Sequence, residues 1–300
     1  MGGFASRTAI VTGAGAGLGR SHARGLAREG AWVGVSDIDP RAAEEVAAEI
    51  VREGGRAIAI PADVSDAAQV SEAVEKARSI FGRTDILVNN AGILRDRSFG
   101  KMTPEDFDLV MKVHVTGSFN VSRAVWDGMR ETGYGRIVFT SSASGIYGNF
   151  GQANYGAAKA AMIGLMNVLH IEGRKYDIRV NALAPIAATR MTAGLIDAGV
   201  EDLFTPETVT PAVLYLVGED APSRVILGAG ADVFALTRIE ETEGVFLPEA
   251  ERTPDGIARH FDRIADRTHA RTLDGAFDQI GKFASIAASA PRATLQEETS

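Results

Sequence analysis

An α/β fold built on a doubly wound parallel sheet is predicted from three observations. Short β-branched runs alternate with Ala-rich helical stretches through the first two-thirds of the 300 residues. Those runs are apolar on both sides, the pattern of strands covered on both faces. The first run leads through a glycine-rich loop straight into a helix. Strands each followed by a helix give a parallel sheet with helices on either side.

Thr8-Ala9-Ile10-Val11 opens as strand one, and Arg20 to Glu29 reads as a helix ended by Gly30. Ala31 to Ser36 is strand two, Pro40 to Glu53 the next helix, and Ala57 to Pro61 strand three. Asp85 to Asn90, Gly135 to Thr140 and Ile178 to Leu183 supply strands four, five and six. From about Ala231 the pattern breaks. Ile257, Phe261, Ile264 and Ala265 fall at helical spacing within Asp255 to Asp266, and Leu273, Phe277, Ile280 and Phe283 form a second apolar stripe. One domain over 1–230 is therefore expected, followed by an extension over 231–300 too short to enclose a core of its own. That extension packs on the same domain or on a neighbouring subunit, as surface helices, an arm or a lid.

Composition excludes several classes. There are 31 Lys and Arg against 39 Asp and Glu, a net charge of −8, with no local basic concentration to grip nucleic acid or anionic lipid. The absence of cysteine removes disulfides, thiolate zinc sites and cysteine nucleophiles. The five histidines never take a metal-ligand spacing, so no metal is expected. No apolar run approaches the ~20 residues of a membrane span. Met1 to Arg7 lacks the apolar stretch of a secretory signal, and Glu298-Thr299-Ser300 is not a peroxisomal address. A soluble cytoplasmic protein acting on a small molecule is the expectation.

Strand one runs into Thr12-Gly13-Ala14-Gly15-Ala16-Gly17-Leu18-Gly19, a T-G-x-x-x-G-x-G spacing and not G-x-G-x-x-G. Backbone N–H groups at Gly13, Gly17, Leu18 and Gly19 can approach a pyrophosphate, and the helix N-terminus adds partial positive charge. Asp37 ends strand two about 20 residues further on, where a carboxylate accepts both ribose hydroxyls of NAD and repels the 2′-phosphate of NADP. N-capping is its competing role, but Asp39 is better placed for that. Arg20 is a possible counterweight favouring NADP, and Asp63-Val64 after strand three can meet the adenine.

Tyr155 and Lys159 lie at i, i+4 on one helix, so both polar groups share a face. Ser142 sits just beyond strand five. Interconverting a ketone and an alcohol with NAD needs a group that moves a proton while a hydride moves elsewhere. A phenol suits this once its pKa falls from about 10. An ammonium ~4 Å away at an effective dielectric of ~20 contributes about 4 kcal/mol, or about three pKa units, bringing Tyr155 near neutrality. Ser142 would hold the substrate oxygen. Tyr147 lacks a lysine four residues on and is expected to line the pocket. Met162 and Met166 are assigned to the core, and His170 to a structural role.

Thr12 to Gly19, the run Asn89-Asn90-Ala91-Gly92, Ser142 and the Tyr155/Lys159 pair together resemble the short-chain dehydrogenase/reductases, in order through residues 8–230. The resemblance implies a Rossmann-type sheet of order 3-2-1-4-5-6-7, NAD as cofactor and a homodimer or homotetramer. It further implies that Lys159 also binds the nicotinamide ribose and that Asn90, Ala91 and Gly92 pack near the adenine-side ribose. Asn89 to Phe99, Thr140 to Tyr155 and the tail from Gly228 to about Phe283 resemble, more narrowly, the (3R)-hydroxyacyl-CoA dehydrogenase domains of peroxisomal multifunctional enzymes type 2. Those enzymes continue into a hydratase and a sterol-carrier module, so a stand-alone dehydrogenase is expected.

Two departures from the broad family stand out. Val113-His114-Val115-Thr116-Gly117 has histidine where most members have asparagine, a substitution that the narrower group is similar in having. His114 is expected to serve as a proton relay, the competing role being a buried structural histidine. After strand six, Pro185-Ile186 replaces the usual Pro-Gly, and Ala187 to Thr192 is one residue short. Pro185 and Thr189 are still expected at the nicotinamide end. Arg95, Arg97 and Arg190 are candidates for CoA phosphates at the rim. The activity implied is oxidation of (3R)-3-hydroxyacyl-CoA to 3-oxoacyl-CoA in lipid or sterol side-chain degradation. The alternatives are a 17β-hydroxysteroid dehydrogenase, a 3-oxoacyl carrier-protein reductase and a non-catalytic NAD-binding scaffold.

Overall fold

The structure is a computed structural model that describes residues 3–189 and 199–290. Its centre is a sheet of β1 (Thr8–Thr12), β2 (Trp32–Ser36), β3 (Arg56–Ala59), β4 (Ile86–Asn89), β5 (Gly135–Thr140), β6 (Ile178–Pro185), β7 (Ile226–Gly230) and β8 (Val233–Thr237). Its order is β3-β2-β1-β4-β5-β6-β7-β8. Every neighbouring pair is parallel except β7 with β8. The order reverses between β1 and β4, which opens a crevice beyond their C-terminal ends, the place where such sheets bind ligands.

The parallel core has the expected order, and the eighth strand is an addition to it. Ala231 and Asp232 turn with φ of +49° and +57°, and the chain returns antiparallel with Gly230 opposite Val233. Positive φ at both central residues suits the right-handed twist of a two-residue hairpin. Neither residue is the glycine or asparagine that signals such a turn, so the sequence places 231–237 in the extension instead of the sheet. The chain divides into compact units at Met1–Thr237 and Arg238–Ser300.

The helices of the first unit are α1 (Gly17–Arg28), α2 (Pro40–Arg52), α3 (Ala67–Phe81), α4 (Pro104–Met111), α5 (Gly117–Thr132), α6 (Ala143–Tyr147), α7 (Ala153–Gly173) and α8 (Pro206–Leu216). A π-helical turn, Lys112–Thr116, joins α4 to α5. Alternate residues of β1 point to opposite faces. Ala9 and Val11 join Leu26, Val46, Ile50 and Val213 in one core. Ile10 joins Val70, Val125, Met129, Met162 and Met166 in the other. The two α7 methionines are thus core, as read from the sequence. Asp39 caps α2 through the N–H groups of Arg41 and Ala42.

Two buried polar groups brace this unit. The Arg136 guanidinium on β5 is fully buried and donates to the carbonyls of Asp177, Gly218 and Glu219 and to the Asp177 carboxylate. His22 in α1 is fully buried beside Thr210 of α8, with Nδ1 at 3.0 Å from its hydroxyl, and burial pushes the imidazole pKa down to about 3. His170 meets the Ser223 hydroxyl at 2.7 Å.

In the second unit the predicted helix over 255–266 is two helices, α9 (Pro254–Arg259) and α10 (Phe261–Ile264), interrupted at His260, whose ring pairs with Glu251. The last helix, α11 (Ala276–Ser289), inverts its predicted stripe: Phe277, Ile280 and Phe283 are exposed. Lys282 is buried instead, bonded to Glu241 and the Thr242 carbonyl. Among the described residues, no helix is long and apolar enough to cross a membrane, and no group of three or more His, Asp or Glu could hold a metal ion.

Candidate active site

A cavity of about 750 Å³ opens where the strand order reverses. At its dinucleotide end are Gly13, Ala16, Gly17 and Leu18 from the loop after β1, Asp37 and Ile38 after β2, and Asp63 and Val64 after β3. Asn90, Ala91 and Gly92 follow β4 along its wall. His114, Tyr155, Lys159, Pro185 and Thr189 complete the far end. Of the catalytic and cofactor-binding residues assigned from sequence, Ser142 and Gly19 do not line the cavity.

Gly19 lies just under the loop: a Cβ there would sit 2.2 Å from the Gly13 carbonyl oxygen and 2.6 Å from the Asn90 amide. That close approach lets α1 begin directly beneath the loop. The α1 N-terminus starts at Ala16 with no side-chain cap, so its first N–H groups are left for a ligand at the cavity wall. The Thr12 hydroxyl fixes the opposite wall by accepting from the N–H groups of Asn90 and Ala91 at 3.0 and 3.1 Å. The Asn90 side chain donates back to the Thr12 and Gly13 carbonyls. Asp37 is not the cap of α2. Its carboxylate accepts from Gly15 N–H at 2.9 Å and Asp39 N–H at 3.0 Å, which pins it at the cavity edge. Arg20 faces away in an ion pair with Glu49. A cradle of uncapped amides with an acid beyond it fits the diphosphate and ribose of a dinucleotide.

At the other end, the Ser142 hydroxyl is near enough to Tyr155 to lower its phenol pKa. Ser142 also caps α6, accepting from Ser144 N–H. Lys159 Nζ donates to the Thr140 carbonyl at 2.7 Å and lies 5.5 Å from the centre of the Tyr155 ring. Ser141, next to Ser142, holds the Lys159 carbonyl at 2.8 Å. His114 meets the Tyr155 ring edge-on at 5.3 Å. Its Nε2 is 3.0 Å from the N–H and 2.9 Å from the carbonyl oxygen of Ile93, and its Nδ1 is buried without a partner. Gly92 makes room for that ring, since a Cβ there would lie 2.3 Å from His114 Cε1.

The electrostatics differ from the spacing argument. Burial pushes the Tyr155 phenol up, against the lowering effect of the Ser142 hydroxyl. Burial also pulls Lys159 down to about 7. The ammonium that was to bring Tyr155 near neutrality is itself part-neutral there, and it is bonded to a carbonyl instead of the phenol. His114 is held at about 3 by burial and by Lys159.

Other expectations fall differently. Tyr147 does not line the cavity; it is exposed, with its hydroxyl 3.3 Å from that of Thr237. Arg95 lines the cavity, Arg97 does not, and Arg190 lies outside the described residues. Sequence reasoning passed over Asn154, which is fully buried and donates to the carbonyls of Arg95 and Asp106. It also passed over the Gln152 amide, bonded to Asp96 at 2.8 Å. Both lie in the run before Tyr155, so polar residues adjoining a catalytic tyrosine were the available signal.

The fold and this cavity define a dinucleotide-dependent oxidoreductase. The family described as short chain dehydrogenase matches residues 7–198, and the chain belongs to it, with oxidoreduction at CH–OH groups and NAD(P) as its chemistry. Peroxisomal multifunctional enzyme type 2 of Mus musculus is 44% identical over 280 residues, 89% of this chain and 38% of that protein. A hydroxyacyl-CoA dehydrogenase of Mycobacterium tuberculosis is 38% identical over 238 residues, 73% of this chain and 74% of that one. The solved structure of full-length peroxisomal multifunctional enzyme type 2 from Drosophila melanogaster matches with a TM-score of 0.81 and 34% identity, over 95% of this chain and 50% of that one. The chain thus spans well under half the length of the mouse relative.

Proposed function

We propose that this chain oxidises (3R)-3-hydroxyacyl-CoA thioesters to 3-oxoacyl-CoA with NAD, in the degradation of lipids or sterol side chains. The observation that carries this is a cavity with Asp37 at one end and Tyr155, Lys159 and His114 gathered at the other, with Ser142 near Tyr155. The name of the Mycobacterium tuberculosis relative, a hydroxyacyl-CoA dehydrogenase, supports the substrate class. NAD, when bound, supplies the hydride acceptor. Gly13, Gly17, Leu18 and the start of α1 hold its diphosphate, with Gly19 packed beneath them. Asp37 takes the adenine-side ribose, Asp63 and Val64 face the adenine, and Asn90, Ala91 and Gly92 flank the adjoining wall. Lys159, Pro185 and Thr189 serve the nicotinamide end.

Tyr155 as phenolate accepts the substrate hydroxyl proton, and Ser142 orients the oxygen. Lys159, near 7, gives and takes a proton at physiological pH. His114 is neutral and can accept at one ring nitrogen while releasing at the other, which suits it to carry the proton onward. Arg95 at the rim is available to a CoA phosphate.

A homodimer or homotetramer belongs to the same proposal, supported by exposed Phe119 on α5 and Val168 and Ile171 on α7. So does a cytoplasmic location, although the mouse relative is named peroxisomal. The test is the initial rate with a hydroxyacyl-CoA and with a free 17β-hydroxysteroid, each with NAD⁺ and NADP⁺. Turnover of the thioester with NAD⁺ is expected. Preference for the free steroid assigns the chain to hydroxysteroid oxidation, and preference for NADP⁺ assigns it to reductive biosynthesis.

A further inference from the structure

The loop after β4 and the segment leading into α7 are 56 residues apart in sequence, yet they are joined side chain to side chain. Gln152, almost fully buried, donates from Nε2 to Asp96 Oδ2 at 2.8 Å and accepts from Asn149 Nδ2 at 3.1 Å. Arg97 N–H donates to the Gly151 carbonyl at 2.9 Å, and Asn154 holds the Arg95 carbonyl. The Gln152 carbonyl accepts the helical bond from Gly156 N–H at 2.7 Å, so the same residue sets where α7 begins. Tyr155 follows within the first turn. The second Asp96 oxygen is buried without a partner.

We propose that Asp96 and Gln152 form a latch that fixes the start of α7, with Tyr155 in its first turn, and that the Asp96 carboxylate acts on this tyrosine through that latch, making Asp96 a positioning residue for proton transfer. The groups around Tyr155 come from several elements. Lys159 is on its own helix, His114 on the π-helical turn, Ser142 at the start of α6, and Asp96 and Arg95 on the loop after β4. From α4 the structure gives only the Asp106 carbonyl, bonded to Asn154. Among the described residues, the Asp96 carboxylate raises the cost of forming the Tyr155 phenolate, after burial as the larger cause. Asp96 therefore favours the neutral phenol, which must pass its own proton on before it can take one from a substrate hydroxyl.

The inference rests on Tyr155 being the proton acceptor of the proposed reaction, so its test has one readout that needs no substrate. Asp96→Asn keeps an acceptor for Gln152 and removes the charge. Ultraviolet difference titration, each protein minus the same protein carrying Tyr155→Phe, follows the Tyr155 tyrosinate directly. The acid limb of kcat/KM for a hydroxyacyl-CoA is followed in parallel. Asp96→Asn is expected to move both midpoints to lower pH by about half a unit or more, and Asp96→Glu is expected to restore them. Gln152→Leu, which cuts the latch and keeps the charge, is expected to raise KM without that shift. An unmoved tyrosinate midpoint in Asp96→Asn overturns the charge effect. Should Asp96→Asn fail to fold, a Gln152→Leu protein with unchanged KM overturns the latch. Should the parent protein not turn over hydroxyacyl-CoA, the proposed reaction falls, and the substrate-free titration still decides the role of Asp96.

Discussion

Tyr155→Phe is expected to lower kcat for hydroxyacyl-CoA oxidation by about 10³-fold, within the range that removal of a general acid–base costs, while dinucleotide affinity stays within a few-fold. The substitution deletes one oxygen and keeps the ring. His114 still packs against an aromatic edge, and α7 still begins at Ala153. What is lost is the phenol hydroxyl near Ser142, the group proposed to receive the substrate proton. Lys159 is a poor substitute, since its amine is committed to the Thr140 carbonyl. Steady-state kinetics with a separate measurement of NAD Kd checks this. Equal losses in affinity and turnover would point to a binding role, and a scaffold protein would show no loss that matters.

Acidification is expected to destabilise the fold steeply between pH 6.5 and about 3, through His22 and His114. Both imidazoles are buried, and both are pushed from 6.5 to about 3. In that window the unfolded chain binds protons that the folded protein refuses, so stability is complete above pH 6.5 and falls as pH is lowered toward 3. Each unit of difference is about 1.4 kcal/mol, so two such groups withdraw several kcal/mol from a total of ~5–15 kcal/mol. The check is the denaturant midpoint against pH for the parent, His22→Gln and His114→Asn. Each variant is expected to flatten the acid slope, whatever its absolute stability. A slope identical to the parent's in both variants would contradict the assignment. His22 reaches the catalytic end only indirectly, through α1 and α8, whereas His114 joins acid stability to the site itself.

Much of this was legible because the dinucleotide end is local. The loop from Thr12 to Gly19, with Asp37 one helix and one strand later, draws its geometry from a short stretch of chain. Tyr155 and Lys159 are one helical turn apart, so their shared face follows from spacing alone. What escaped was non-local or lacked its usual residue. The β7–β8 hairpin turns on Ala231-Asp232, with no glycine to announce it. In α11 the apolar stripe implied burial, but Lys282 is the residue buried, because Glu241 and Thr242 offer it charge and a carbonyl. The pairing of Asp96 with Gln152 joins segments whose proximity only the sheet order creates. The Tyr155 phenol was misjudged for a related reason: spacing supplies a lysine but not the burial that discharges it.

The measurement that bears most directly on the proposed reaction is the ratio of kcat/KM with NAD⁺ for the (3R) and (3S) enantiomers of one 3-hydroxyacyl-CoA. In the proposed reaction the proton acceptor and the bound dinucleotide would meet the carbinol from different sides, which would admit a single hand. The expected result is a ratio of at least ~10² in favour of the (3R) thioester, the scale on which misplacing reacting atoms by about 1 Å is felt. Equal rates, or preference for the (3S) form, would contradict it.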